Sequence, residues 1–363
     1  MPPAPERKAF LVGSMPFGSE AENMRLALET LGDRLLALPD GEVGEKSEEF
    51  PAGRRQSWVH TALLANRDGG AFRVVKEPTE RTKDGFMTEV GGQWVLRPKH
   101  SPKQLPHYLD FGYARYFRDS YPAFRELREH SGRRDMPFQV GIPTGLAIGA
   151  LSMPPLTALR YRRAFDERLA TEVAEIVDEA GDDVIISVEA PLEVMMAGVL
   201  PSFVMGIPIG WLVQLLERLP AGARVGLHLC LGDLNNNTPA KLDVERMLVN
   251  FSNRLLARWP ARLKLEYVHF PLAEAARPPS TSAAIYAPLR EVQLPPGARF
   301  IAGFVHEGLS KDEHRQILGA IEDARGEPVD VACSCGLARR TPEVARELLR
   351  LTALAATFEH DEG

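Results

Sequence analysis

The sequence predicts an α/β fold, a single (β/α)8 (TIM) barrel that takes in residues 1–363. Two observations carry this. Short apolar runs recur almost from end to end with amphipathic helical stretches between them, and the runs are continuous rather than alternating. Continuous Val/Ile/Leu runs are how strands buried on both faces read. Eight of them alternating with helices is the pattern of a closed barrel.

Taken in order, the predicted strands are Lys8–Gly13, Arg34–Pro39, Met136–Ile142, Asp183–Val188, Ala223–Leu229, Arg262–Val268, Ala298–Phe304 and Val329–Cys333. The predicted helices are Ala21–Leu31, Leu159–Glu179, Pro208–Arg218, Pro239–Arg258, Lys311–Ala324 and Pro342–Leu354. Start signals mark several. Thr238-Pro239 and Thr341-Pro342 put a capping hydroxyl before a first-turn proline, and Ser310 with Glu313 has the spacing of a capping box. A doubly wound open sheet is the structural alternative. Its glycine fingerprint is missing, since Gly141, Gly145 and Gly149 are four apart.

One connection is too long for a barrel loop. The segment 44–135 is expected to be a structured insertion after strand two, a lid over the C-terminal face. Within it, Phe72–Glu77 and Phe86–Leu96 read as a hairpin turning at Gly91-Gly92, and His107–His130 as a helix interrupted at Pro122.

The net charge of −6 argues against a chain that binds nucleic acid by neutralising phosphates. The richest apolar stretch, Leu192–Leu215, is broken by Pro201 and Pro208, so no membrane span is expected. The N-terminus lacks a basic region followed by an apolar core, and the expected location is cytoplasmic. With 3 cysteines, Cys230, Cys333 and Cys335, a disulfide framework is not expected.

The strongest chemical signal is His228-Leu229-Cys230. Two apart at a strand end, the side chains point to one face, and a thiolate beside an imidazole is a zinc-ligand pair. Alone, the motif also fits a buried cysteine beside a hydrogen-bonded histidine. Glu266, read as closing strand six, and Cys335, following strand eight, reach the same barrel mouth. His228, Cys230, Glu266 and Cys335 then form a four-ligand set for Zn2+, with Cys333 as an alternative to Cys335. A displaceable carboxylate suits a catalytic better than a structural zinc. The other strand ends are polar too: Gly13-Ser14, Asp40-Gly41-Glu42, Glu189 and His306-Glu307. Arg54 and Arg55, beyond strand two, are candidates to receive an anionic substrate.

These pieces resemble the catalytic barrel of cobalamin-independent methionine synthase, in the superfamily that includes uroporphyrinogen decarboxylase. The resemblance rests on Val12-Gly13-Ser14-Met15-Pro16, Asp40-Gly41-Glu42, Gln139 to Thr144, Val188-Glu189-Ala190-Pro191, His228-Leu229-Cys230, Glu266 and Cys335-Gly336-Leu337. It implies zinc held by His228, Cys230, Glu266 and Cys335. It also implies an amino acid thiol against Gly13, Ser14, Glu42 and Glu189, and proton transfer by His306. The family's acidic pair after strand four reads Glu189-Ala190 here, so one acid is absent.

The expected function is therefore a zinc-dependent thiol alkyltransferase, moving a methyl group to homocysteine or a related small thiol through a zinc-bound thiolate. The catalytic residues would be His306 and Glu189. The substrate side would be Gly13, Ser14, Glu42, Glu189, Arg54 and Arg55. The partners are a small-molecule thiol acceptor and a methyl or alkyl donor such as a methylfolate or methylcorrinoid, with no nucleic acid and no membrane. One alternative is a metal-free lyase resembling uroporphyrinogen decarboxylase, with Arg54 and Arg55 gripping substrate carboxylates. A non-enzymatic barrel with a closed structural zinc or a Cys333–Cys335 redox switch is the other.

Overall fold

The computed structural model describes residues 6–57, 59–77, 94–233, 236–238 and 241–359. The strands are β1 (Ala9–Phe10), β2 (Leu38–Pro39), β3 (Phe72–Lys76), β4 (Val95–Pro98), β5 (Phe138–Pro143), β6 (Val184–Glu189), β7 (Arg224–His228), β8 (Lys264–Pro271), β9 (Arg299–Val305) and β10 (Asp330–Cys333). Eight of them form one sheet in the order β1-β10-β9-β8-β7-β6-β5-β2, with every pairing parallel. Its two ends meet, because Ala9 bridges Leu35 in parallel and the Leu36 N–H donates to the Ala9 carbonyl at 2.9 Å. The sheet therefore curls round in the manner of a TIM barrel. All eight predicted strands fall on sheet strands. The second is shorter than expected, only Leu38–Pro39, and the sixth is shifted towards the C-terminus, beginning at Lys264 and continuing to Pro271.

The helices are α1 (Glu20–Leu31), α2 (Val59–Asp68), α3 (Tyr113–His130), α4 (Gly145–Ser152), α5 (Pro155–Ala180), α6 (Pro191–Val199), α7 (Gly206–Leu216), α8 (Phe251–Leu256), α9 (Lys311–Arg325) and α10 (Pro342–Ala355). Ser310 and Glu313 make the expected capping box on α9, and Thr341 caps α10. Two expectations are corrected. The helix expected from Pro239 begins instead at Val244 as a π-helical turn capped by Asp243, and runs on into α8. Helix α3 also passes through Pro122 without a break.

Between β2 and β5 lie α2, the antiparallel β3–β4 hairpin and α3. The second hairpin strand sits at Val95–Pro98, later than expected, and its predicted Gly91-Gly92 turn lies outside the described residues.

Two apolar clusters hold the fold. The larger joins strands to helices and includes Ala9, Leu11, Ile186, Val188, Val268 and Phe270. The smaller gathers Phe10, Val12, Ala37, Ile185, Tyr267, Ile301 and Ala332. Neighbours such as Phe10 and Leu11, or Ile185 and Ile186, belong to different clusters. That is the two-residue period of strands packed on both faces, and it leaves the strand ends free to carry polar groups.

Candidate active site

Strand β7 ends at His228, and Cys230 follows two residues later. Cys335 comes from the loop after β10. One ligand atom from each of the three lies within 4.8 Å of the others. His228 is fully buried, its Nδ1 is 2.7 Å from His269 Nδ1, and its Nε2 has no hydrogen-bond partner among the described residues. The Gly232 N–H donates to the Cys230 sulfur at 3.4 Å. The adjacent Cys230 sulfur, followed by burial, pushes the Cys335 thiol well above its ordinary range. Two crowded sulfurs and an unpartnered imidazole nitrogen are what a cation would satisfy. The donor set fits zinc, for which two Cys and one His with an open fourth position is a catalytic pattern.

The sequence assigns Glu266 to this cluster as a ligand; the structure does not put it there. Strand β8 starts only two residues before it, and at that end Arg224 pairs with Lys264. The metal cluster is level with the other end, where His228 pairs with His269. Three residues of strand separate Glu266 from His269, about 10 Å. Glu266 also falls at a register shift, since Val225 pairs with Leu265 and Gly226 with Tyr267. Its carboxylate takes Arg224 Nε and Nη2 at 2.8 and 3.2 Å and Lys264 Nζ at 2.8 Å. Burial raises this carboxyl, but the Arg224 and Lys264 bonds outweigh it and hold the group below its usual range.

Cys333 is also accounted for. Its sulfur lies 3.7 Å from Thr352 Oγ1 of α10, and burial pushes its thiol up to about 12. The backbone supplies the rest: its carbonyl is 3.0 Å from His269 Nε2.

Beside the cluster is a buried carboxylate pair. Glu189 ends β6 in register with His228, and Glu42 sits in the loop after β2 with φ 55°. A methyl group placed on Gly141 would lie 2.9 Å from Glu189 Oε1 and 3.0 Å from Glu42 Oε1, so both carboxylates use the space that this glycine leaves. Burial, opposed by Arg55 and aided by Asp40, raises Glu42 to about 7. Burial and then the Glu42 charge push Glu189 well above the carboxylate range. A cation placed between the two would favour their charged forms.

The Glu42 backbone is left-handed because its surroundings fix it. Asp40 Oδ1 accepts the Glu42 N–H at 2.9 Å, while Asp40 Oδ2 accepts from Arg55 Nη1 at 2.7 Å and Ser120 Oγ at 2.8 Å. Gln56 Nε2 donates to the carbonyls of Met15, Gly41 and Glu42. Gly13 and Ser14 adjoin this loop: a methyl on Gly13 would lie 3.0 Å from Glu42 Oε1, and one on Gly336 would meet Ser14 Oγ at 2.2 Å. The Gly13-Ser14 turn, the Glu42 loop and the Cys335-Gly336 loop therefore form one assembly.

Both arginines expected to grip substrate are otherwise engaged. Arg54 is ion-paired with Asp68 at 2.7 Å, and Arg55 is buried against Asp40 with its guanidinium 4.6 Å from the Tyr116 ring centroid. The metal-free lyase reading loses its anion grip. His306 gives both ring nitrogens to the backbone: Nδ1 accepts from the Gly308 N–H at 2.9 Å, and Nε2 lies 3.0 Å from the Ala275 carbonyl. Burial holds its pKa below the usual value.

Sequence reasoning missed three residues here. His269 lies one residue beyond the predicted end of its strand, though two histidines at matching ends of adjacent strands were a usable signal. Gln56 gave none. Arg339 is followed by a second arginine, Arg340; its Nη1 donates to the Gln56 carbonyl at 2.9 Å, its buried Nε has no partner among the described residues, and its charge draws down the pKa of both Glu42 and Glu189.

No family model matches the sequence, and no curated protein matches it. Among solved structures, a B12-independent methionine synthase from Shewanella sp. W3-18-1 in complex with selenomethionine is similar at a TM-score of 0.55 and 14% identity, over 97% of this chain and 96% of that one. This likeness supports the barrel-like α/β fold. A beta-glycosidase from Thermosphaera aggregans aligns over 97% of both chains at 11% identity, but its TM-score of 0.30 is too low to bear on the fold. Among the described residues, no helix is long and apolar enough to cross a membrane.

Proposed function

We propose that this chain is a zinc-dependent transferase that alkylates a small aminothiol, by methyl transfer to homocysteine or a related thiol. One observation carries the reading: a nitrogen of the buried His228 ring and the sulfurs of Cys230 and Cys335 lie within 4.8 Å of one another, and the His228 Nε2 has no hydrogen-bond partner among the described residues. Held by these three residues, zinc would supply thiol activation, because coordination deprotonates a thiol at neutral pH.

The remaining residues orient the substrate. Glu42 and Glu189 suit the ammonium group of an amino acid, and the N–H groups of the Gly13-Ser14 turn suit its carboxylate. Arg339 adds positive charge on the same side. In the reaction the thiol sulfur's electron pair forms the S–C bond, the bond from that carbon to the donor's leaving heteroatom breaks, and the leaving atom takes a proton. His306 is the proposed proton relay: it gives up the Nε2–H now bonded to Ala275 as Nδ1, now accepting from Gly308, takes a proton from solvent, so the ring stays neutral. Segment 44–135 is proposed as the cover of this mouth, with Arg55 and Gln56 propping the Glu42 loop. A methylfolate would serve as donor with its leaving atom protonated in this way; with a methylcorrinoid the leaving cobalt(I) would keep the electron pair and take no proton.

The fold relative from Shewanella is itself a methionine synthase seen with an amino acid, which agrees with an amino acid-sized acceptor site. X-ray absorption at the zinc edge tests the proposal. Adding homocysteine is expected to raise the number of sulfur neighbours by one. An unchanged shell at saturating thiol would overturn it.

A further inference from the structure

His269 has no part in the mechanism above, yet it lies between a metal-ligand candidate and the backbone. It is fully buried, paired in register with His228, with ring centroids 4.7 Å apart at 45°. Its Nε2 is 3.0 Å from the Cys333 carbonyl and its Nδ1 is 2.7 Å from His228 Nδ1. A carbonyl oxygen only accepts, so the hydrogen of that first bond sits on His269 Nε2. A neutral imidazole with its proton on Nε2 has a lone pair on Nδ1. The hydrogen between the two Nδ1 atoms must therefore belong to His228. With Nδ1 taken by His269, the His228 nitrogen left for the Cys230 and Cys335 cluster is Nε2, whose lone pair has no partner among the described residues.

We infer that His269 is a positioning residue for the metal: a carbonyl–His269–His228 relay fixes the tautomer and ring angle of His228, so that Nε2 is presented to zinc. A metal-bound histidine usually donates its other N–H to a carboxylate, carbonyl or water. Here a second histidine takes that place, anchored to the backbone of the strand that leads to Cys335. The relay thus couples the His228 ligand to the Cys335 loop: Cys333, which ends β10, is both the carbonyl anchor and two residues from the third ligand. The geometry also explains a buried histidine on an apolar strand, between Val268 and Phe270, where a hydrocarbon would otherwise pack.

The inference rests on the zinc reading, so the test separates the two. Zinc affinity is measured by competition with a chromophoric chelator for the parent, His269→Phe and His269→Asn, with thermal unfolding of each metal-free protein alongside. Loss of such an outer hydrogen bond costs roughly 10- to 100-fold in metal affinity. That loss is expected for His269→Phe. His269→Asn, whose amide oxygen can stand near the Nδ1 position, is expected to keep most of the affinity. Phe and Asn variants that both match the parent would overturn the relay while leaving the zinc site intact. A parent that takes up no zinc would overturn both readings.

Should the Phe variant fail to fold, nitrogen chemical shifts of His228 in the metal-free parent give a second readout. A protonated Nδ1 with a bare Nε2 is expected. The reverse tautomer would overturn the inference.

Discussion

Glu189 and His228 are register partners at the adjoining C-terminal ends of β6 and β7. One belongs to the carboxylate pair and the other to the His/Cys cluster, so two sites of opposite demand share a wall. In the proposed function an amino acid with a thiol side chain would span such a pair, its ammonium on the carboxylates and its sulfur at the His/Cys cluster. This juxtaposition makes the expected behaviour of each half separable by mutation.

The ligand assignment separates Glu266 from the other three. Glu266→Gln is expected to leave zinc content unchanged, because its partners are Arg224 and Lys264 at the far end of β8. The cost falls on stability, about 1 kcal/mol for a partly buried ion pair. Zinc analysis beside thermal unfolding checks this, and zinc loss in a folded Glu266→Gln protein would restore the carboxylate as a ligand.

Neutralising the carboxylate pair is expected to weaken the aminothiol selectively. Glu42→Gln or Glu189→Gln removes a charge-assisted hydrogen bond, about 1.5–3 kcal/mol, so affinity falls by roughly tenfold or more. Affinity for a thiol lacking the amino group should hardly change. Isothermal titration with both thiols checks it. Because burial raises Glu42 to about 7, ammonium binding should also release protons near neutral pH, seen as heats that vary with the buffer.

Gly141→Ala would place a methyl 2.9–3.0 Å from both carboxylates. The carboxylate ends can swing aside, so the fold should survive with a loss of about 1–3 kcal/mol. The pair itself would be splayed, and aminothiol affinity should drop with zinc content unchanged. Calorimetry on the metal-loaded variant distinguishes this from a folding defect.

Stability should fall as pH rises from about 4.5 to about 7. Glu193 on α6 is fully buried, and burial raises it from 4.5 to about 7. Between those values the folded chain binds more protons than the unfolded one. The contribution of the protonated form is therefore complete below about 4.5 and is lost as pH climbs through 7, a change on the order of 3 kcal/mol. Glu193→Gln should flatten the profile of denaturant midpoint against pH between 5 and 8. A parallel shift with the slope retained would assign the dependence elsewhere.

Much of the fold was legible because parallel strands covered on both faces keep continuous apolar runs, and because Ser310, Glu313 and Thr341 mark helix starts. The spacing of His228 and Cys230 put both side chains on one face, but only Cys335 at the same barrel mouth made a ligand cluster of them. Glu266 was misplaced because an apolar run does not reveal which end of a strand a charge occupies, and β8 extends beyond the predicted Val268. The same shift hid His269. Arg54 and Arg55 read as a basic doublet, whereas their partners Asp68 and Asp40 are set by tertiary packing that local pattern does not encode.

The most direct measurement is zinc per chain in protein purified without added metal, beside Cys335→Ser and His228→Ala. The account predicts about one zinc in the parent and far less in either variant, with all three folded. A folded parent that remains empty when zinc is supplied would contradict it.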